Sequence, residues 1–270
     1  MFSGEVAARD FDVLADALGD SPFTVIATHL LRRRWCRAWI AGSPQYFDAL
    51  VLHHIHDSSE PASFGDDAEV IWGLLQNVRG WTCIESSQTV APALSKLIEQ
   101  HLHVPVRFLQ DIHHTLTQPT PDLPHPDVRL LTIQDLSLID AAQPNMLRDQ
   151  TVWMLTEGAM AGAIVDGKLV AWAQTYAISA KHCDVGVFTH EAHRRRGFSS
   201  ACTALAAKAM QQRGLIPVWS TGEHNAASLA VACKIGFREV GRMVYAIPDF
   251  HHSAYGENRE KRLEIVRPQM

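Results

Sequence analysis

His182-Cys183-Asp184-Val185-Gly186-Val187-Phe188-Thr189 runs straight into His190-Glu191-Ala192-His193-Arg194-Arg195-Arg196-Gly197-Phe198-Ser199-Ser200 and then into an alanine-rich stretch. Val185, Val187 and Phe188 predict a strand, and Ala201, Leu205, Ala206 and Met210, apolar at three-to-four spacing, predict a helix. Three arginines and a glycine lie between them. A helix start offers unpaired N–H groups and the positive end of the macrodipole, and glycine lets an anion come close to the backbone. The turn is therefore a candidate phosphate cradle.

The spacing Arg194-x-x-Gly197-x-Ser199 resembles the Arg/Gln-x-x-Gly-x-Gly/Ala loop of the GNAT N-acetyltransferases, which bind the pyrophosphate of acetyl-CoA. The ordered context adds to the resemblance: a strand ending in Thr189, a helix, Pro217-Val218-Trp219, then Asn225-Ala226-Ala227-Ser228, and a closing Lys234-Ile235-Gly236-Phe237. Asn-x-x-Ser ahead of a Gly-Phe pair is similar to the family's second CoA-side motif. Thr189, Trp219 after Pro217 and the Lys-Ile-Gly-Phe close look most like the zwittermicin-resistance type of GNAT acetyltransferase, which also carries an extra N-terminal region. The competing reading is a surface strand–helix junction whose arginines are merely solvated.

At 270 residues the chain holds one large or two small domains with proper cores. Its 24 Lys and Arg against 29 Asp and Glu leave a net charge of −5, with the basic residues local rather than spread over a face. That excludes a general nucleic-acid binder and suits a small anionic ligand. Met1-Phe2-Ser3-Gly4-Glu5-Val6 lacks the basic start and apolar run of a secretory signal, and no run of about 18 apolar residues suits a bilayer. A soluble, cytoplasmic protein without a membrane partner is expected. Cys36, Cys83, Cys183, Cys202 and Cys233 are odd in number and never form a Cys-x-x-Cys pair, so reduced, mostly buried thiols are expected.

The first half reads as an amphipathic helix over Val6 to Leu18 and strand-like runs over Phe23 to Ile40, interrupted by Arg32-Arg33-Arg34. That triplet is either an anion site or the charged guard of an edge strand. A strand over Tyr46 to His56 would put His54 and His56 on one face, a spacing zinc can use, but no third ligand lies in register and no metal site is expected. In the pairs His113-His114 and His251-His252 the neighbours would point to opposite faces of a strand. Helices over Asp66 to Val78 and Thr89 to His101 and strands over Trp81 to Ile84 and Val104 to Leu109 follow.

Thr117-Gln118-Pro119-Thr120-Pro121-Asp122-Leu123-Pro124-His125-Pro126 holds four prolines and reads as the boundary linker. Beyond it come a strand over Val128 to Leu131, a helix begun by Thr132-x-x-Asp135, a short element over Thr151 to Leu155, and a hairpin around Asp166-Gly167. The order of elements in the two halves is alike, and Arg79-Gly80-Trp81 matches Arg213-Gly214 with Trp219. Where the first half should carry the phosphate turn it has Ser63-Phe64-Gly65-Asp66-Asp67, whose carboxylates would repel a pyrophosphate.

The resemblance thus implies an α/β (α+β) protein: residues 1–118 a degenerate GNAT-like domain, 119–127 a linker, and 128–270 an acetyl-CoA-binding GNAT domain. Its central sheet is expected to be mixed, mostly antiparallel and flanked by helices. The implied partners are acetyl-CoA as co-substrate and a small amine acceptor, handled by a monomer or homodimer. The backbone of Val187, Phe188 and Thr189 would pair along the pantetheine arm, and Arg194, Arg195, Arg196, Gly197, Phe198, Ser199 and Ser200 would hold the pyrophosphate. Asn225 and Ser228 would face the cofactor where the central strands splay.

Amine acetylation needs a neutral amine, a polarised thioester carbonyl and a proton donor for the thiolate. The position of the family's usual carboxylate falls on Cys183, and that of its usual tyrosine on Ala232. Asp184, re-aimed by a strand bulge, and Tyr245 are the substitute catalytic residues; a salt bridge for Asp184 and a core place for Tyr245 are the alternatives. Glu157, Glu223 and His224 are further candidates. The implied function is N-acetyl transfer to a small amine. Acyl transfer from longer acyl-CoA donors to an amino acid, or a catalytically silent CoA-binding module, are the alternatives.

Overall fold

The computed structural model describes residues 3–250, so the His251-His252 pair lies outside the described residues. Two compact units are present: one of residues 3–19, 27–112 and 242–250, the other of residues 20–26 and 113–241.

The chain passes through β1 (Ser3–Glu5), α1 (Phe11–Leu18), α2 (Val25–Arg33), β2 (Cys36–Ser43), β3 (Tyr46–His54), β4 (Asp57–Gly65), α3 (Ala68–Leu75), β5 (Ile84–Ser87), α4 (Ala91–Leu102) and β6 (Val106–Thr115). It continues through β7 (Val128–Leu130), α5 (Leu136–Ala142), α6 (Arg148–Thr156), β8 (Met160–Val165), β9 (Lys168–Ile178), β10 (His182–Thr189), α7 (Phe198–Gln211), β11 (Ile216–Gly222), α8 (Ala226–Ile235) and β12 (Arg238–Pro248). The same sequence of strand, two helices, three strands, helix, strand, helix and strand occurs twice. The fold is the expected mixed, mostly antiparallel sheet flanked by helices, built in two halves.

In the first unit β1, β2, β3 and β4 pair antiparallel in order, β4 meets β5 in parallel, and Met243–Ala246 of β12 pairs antiparallel with β5. Alternation along β2 and β3 sorts the core. Trp39, Ala41, Ala49 and Val51 face Ile71, Leu74, Leu75, Leu94 and Ile98 of α3 and α4. Ala38, Ile40, Leu50 and Leu52 face Phe11, Leu14 and Leu31 of α1 and α2. In the second unit β7, β8, β9 and β10 pair antiparallel, and β10 pairs with β11 in parallel. Ala161, Ala163, Ala171 and Ala173 pack there against Phe198, Cys202 and Ala206 of α7.

Three local expectations are corrected. Residues 25–33 are helical, not strand-like: Val25, Thr28 and Leu31 are buried at helical spacing, and packing overrides the β-branched content. Arg32 and Arg34 there pair with Asp16 and Asp12 of α1 at 2.5 and 2.8 Å, so neither an anion site nor an edge guard is formed. Residues 57–65 form β4, and β3 ends at His54 with His56 beyond it, so the two histidines do not share a strand face. Cys36, Cys83, Cys183 and Cys202 are buried free thiols, as expected; Cys233 is exposed. No helix among the described residues is long and apolar enough to cross a membrane.

The proline-rich segment is anchored rather than loose. Thr120 donates from N and Oγ1 to Gln211 Oε1 at 2.9 and 2.8 Å, and Asp122 pairs with Lys208 at 2.7 Å. Downstream, the predicted helix start at Thr132 is a capping box: Thr132 Oγ1 accepts from Gln134 N at 3.3 Å, and Asp135 Oδ2 accepts from Thr132 N at 2.8 Å. The hydrogen bond from Arg129, aided by that backbone N–H, holds the Asp135 carboxyl at about 2 against an ordinary 3.8. A depressed carboxyl stabilises the fold above its ordinary pKa, and the contribution is lost as pH falls through the folded value. Asp135→Asn should therefore lower stability by about 1 kcal/mol at neutral pH and by progressively less between pH 3.8 and about 2, as read by urea unfolding across that range.

Candidate active site

β10 pairs with β11 only from His182↔Ile216 to Asp184↔Val218, while its pairing with β9 continues to Thr189↔Ala171. Beyond Asp184 the β11-facing edge of Val185 to Thr189 is free of that partner, and the two strands splay where the sequence placed the pantetheine arm. The start of β10 is fixed by a contact no local signal announced. His182 Nδ1 lies 2.6 Å from Asp20 Oδ1, Ser179 Oγ donates to the same carboxylate at 2.8 Å, and Lys181 N donates at 2.7 Å. Burial would raise the Asp20 carboxyl, but these hydrogen bonds outweigh it and hold the group below its usual range.

At the end of β10 the chain makes a short turn and enters α7 through two left-handed residues, Arg195 at φ 61° and Gly197 at φ 87°. Such a conformation aims successive N–H groups into one concavity. Gly197 stands at the N-cap, and no side chain caps the helix. Among the described residues, the N–H groups of residues 195–200 meet no acceptor. Thr189 Oγ1 and Ser199 Oγ, 2.9 Å apart, tie the strand end to the first helical turn. An added Cβ at Gly197 would find open space, with only His125 Cδ2 at 4.0 Å, so the left-handed backbone is what calls for glycine here.

The three arginines are exposed and serve differently. Arg194 Nε reaches Thr189 O at 3.4 Å, Arg196 lies 5.0 Å over the Phe198 ring and 3.3 Å from His193 Nδ1, and Arg195 pairs with nothing among the described residues. His125, from the proline-rich segment, packs its ring 4.7 Å from that of Phe198 beside the turn. Sequence reasoning missed His125, since nothing local ties a linker histidine to a helix some 70 residues on.

Asn225 and Ser228 sit at the β11–α8 junction, as placed, and both are engaged. Asn225 Oδ1 caps α8 by accepting from Ser228 N at 3.1 Å, and Ser228 Oγ accepts from Trp219 Nε1 at 3.1 Å. Gly236, left-handed at φ 105°, ends the helix, and Phe237 packs 5.6 Å from Trp219.

Asp184 is buried in β10. A bulge does lie beside it, on the neighbouring strand: Asp184 faces Ala177 and Val185 faces Thr175, leaving Tyr176 as the extra residue. Tyr176 is 48 % exposed, yet its surroundings desolvate the hydroxyl, and with the Asp184 charge they push the phenol up to about 12. Cys183, at the position of the usual carboxylate, is fully buried beside Ala159, Val185 and Met210, and burial pushes its thiol far up, so it is not a base. Tyr245 belongs to the first unit, where the Glu85 charge, then burial, then Asp111 and Glu60 raise its phenol well above the ordinary value. Glu157 caps α6 and lends its carbonyl to Arg213; Glu223 and His224 are exposed in the turn before α8.

Residues 155–245 match the family model described as GNAT acetyltransferase. No curated protein matches the chain. A GCN5-related N-acetyltransferase-like protein from Streptococcus suis is 21 % identical with a TM-score of 0.64, over 90 % of this chain and 99 % of that one. A GCN5-related N-acetyltransferase from Kribbella flavida is 18 % identical with a TM-score of 0.60, over 92 % and 97 %. A tandem GNAT protein from the clavulanic acid biosynthesis pathway is 12 % identical with a TM-score of 0.57, over 92 % and 98 %. Together, the family match and the shared fold support the GNAT acetyltransferase superfamily, and the tandem neighbour fits the two-half description.

The engagement of Asn225 gives it a structural duty independent of any ligand. Asn225→Ala should cost about 1 kcal/mol of stability in chemical denaturation without any coenzyme present, as loss of an N-cap does.

Proposed function

We propose that this protein is an N-acetyltransferase that moves the acetyl group of acetyl-CoA directly to a primary amine of a small molecule. The observation that carries the reading is the uncapped start of α7, with its left-handed Arg195 and Gly197 and its free N–H groups at residues 195–200. Those donors, the macrodipole and three adjacent guanidinium groups suit a pyrophosphate. The free edge of Val187, Phe188 and Thr189 suits the amides of a pantetheine arm entering between β10 and β11. Asn225 Nδ2 and the hydroxyl hydrogen of Ser228 remain as donors toward the coenzyme. The finer resemblance to the zwittermicin-resistance type rests on Thr189, Trp219 and the Lys234–Phe237 close.

In the reaction, the neutral amine nitrogen bonds to the thioester carbonyl carbon, the C–S bond breaks, and the thiolate of CoA takes up a proton. Holding both reactants in place supplies much of the rate. Asp184, at the point where β10 and β11 part, is the proposed acceptor of the ammonium proton. Tyr245 belongs to the first unit, where its acidic surroundings hold the phenol protonated, and it is given no part in this step. Cys183 and Ala232, both fully buried where the family's usual acid–base pair would fall, favour the second reading, a catalytically silent CoA-binding module.

Gly197→Asp places bulk and negative charge in the left-handed N-cap and should abolish acetyl-CoA binding in calorimetry; unchanged affinity would remove the coenzyme assignment. Asp184→Asn should lower kcat at least tenfold in a thiol-release assay across an amine panel, in line with loss of a general base, with the acetyl-CoA KM unchanged. Acetyl-CoA binding without thiol release for any amine would establish the silent module.

A further inference from the structure

His125 stands beside the coenzyme turn but comes from outside it, from the proline-rich segment and beyond the residues 155–245 that match the family. Pro124 and Pro126 restrict the backbone on either side of it. The segment is held to α7 by Thr120 on Gln211 and by Asp122 on Lys208. The imidazole packs 4.7 Å from the ring of Phe198, the first residue of the helix. It is thereby presented at the start of α7 before any ligand arrives.

The two edges of this imidazole face different groups. On one edge Asp127 N donates to Nδ1 at 3.3 Å, and the Asp127 carboxylate lies 3.8 Å from the same nitrogen. A ring nitrogen that accepts an N–H does not carry the hydrogen of the neutral imidazole, so that hydrogen sits on Nε2. On the other edge Cδ2 approaches the turn, 4.0 Å from where a Cβ at residue 197 would stand, and Nε2 is the atom bonded to Cδ2. Nε2 meets no acceptor among the described residues, and it is not one of the polar atoms shut off from solvent. The N–H groups of residues 195–200 open at the same turn, with Arg194, Arg195 and Arg196 exposed around it. His125 adds to them a donor from a separate, pre-positioned segment, and a donor held in place before binding loses little freedom when it binds.

We infer that His125 is a phosphate-binding residue of the coenzyme site, its Nε2–H donating to a phosphate oxygen of CoA held at the start of α7. This rests on the acetyl-CoA reading above. It adds a contact made by a segment that the family match does not include. The oxygen belongs to the pyrophosphate or to the 3′-phosphate, and the test separates the two.

Calorimetry on the full chain and two variants measures CoA and dephospho-CoA, which lacks the 3′-phosphate. His125→Phe keeps an aromatic ring against Phe198 and removes the donor; His125→Gln gives up the ring and supplies an amide N–H in place of Nε2–H. His125→Phe should weaken CoA binding about tenfold, the order of one charge-assisted hydrogen bond, while His125→Gln stays within about threefold of the wild type. Equal weakening of both ligands in His125→Phe assigns the contact to the pyrophosphate, and weakening of CoA alone assigns it to the 3′-phosphate. Undiminished CoA affinity in His125→Phe, or an equal loss in both variants, would overturn the inference. Should a variant not fold, nitrogen NMR of the labelled wild-type imidazole decides: the Nε2 resonance of His125 should shift as CoA saturates the protein, and an unmoved resonance would overturn the inference as well. A wild type that binds no CoA at all would instead strike the underlying coenzyme reading.

Discussion

The two halves of this chain differ most usefully at one kind of place, the start of the helix that follows the third consecutive strand. In the first half Asp67 Oδ1 accepts from Glu69 N and Val70 N at 2.9 and 3.2 Å, so the positive end of α3 is filled by the chain's own carboxylate. In the second half Gly197 stands at the N-cap of α7 with no side chain to offer, and the donors of the first turn face outward. Identical element order thus yields one helix start that is closed and one that remains available to an anion. Everything assigned to the second half depends on that difference.

The surrounding structure holds the available site in shape. Small residues on β8 and β9 let α7 approach the sheet closely, and the Thr189–Ser199 contact fixes strand end to helix start. Gln211 and Lys208 of α7 hold the proline-rich segment, which brings His125 against Phe198. Asp20 binds the first residue of β10 through His182, so the strand that lines the opening is pinned at one end and splayed from β11 at the other. The opposite face of the same two strands carries aromatic, amide and acidic groups in series.

Much of this was legible in the sequence because it depends on local patterning. The Arg194 to Ser200 turn, the Asp166-Gly167 hairpin, the Thr132 cap and the twice-repeated order are short-range signals that the structure reproduces. The two carboxylates after Gly65 are hostile to phosphate, and one of them, Asp67, is the cap that closes α3. What was not legible depends on distance along the chain. Residues 25–33 carry strand-like residue types but are helical because Leu31 and its neighbours are buried against α1 and β2. The Asp20–His182 pair joins residues 162 apart. The bulge beside Asp184 has Tyr176 of β9 as its extra residue, which only the strand pairing reveals.

The most direct measurement is a backbone amide NMR titration of the isotope-labelled protein with 3′-phospho-ADP, the fragment of CoA that carries the phosphates and lacks the acyl arm. The account predicts that the amides of Arg195, Arg196, Gly197, Phe198, Ser199 and Ser200 move most and saturate together, with those of Glu69 and Val70 at the start of α3 unmoved. Saturating shifts at α3, or none at residues 195–200, would contradict it.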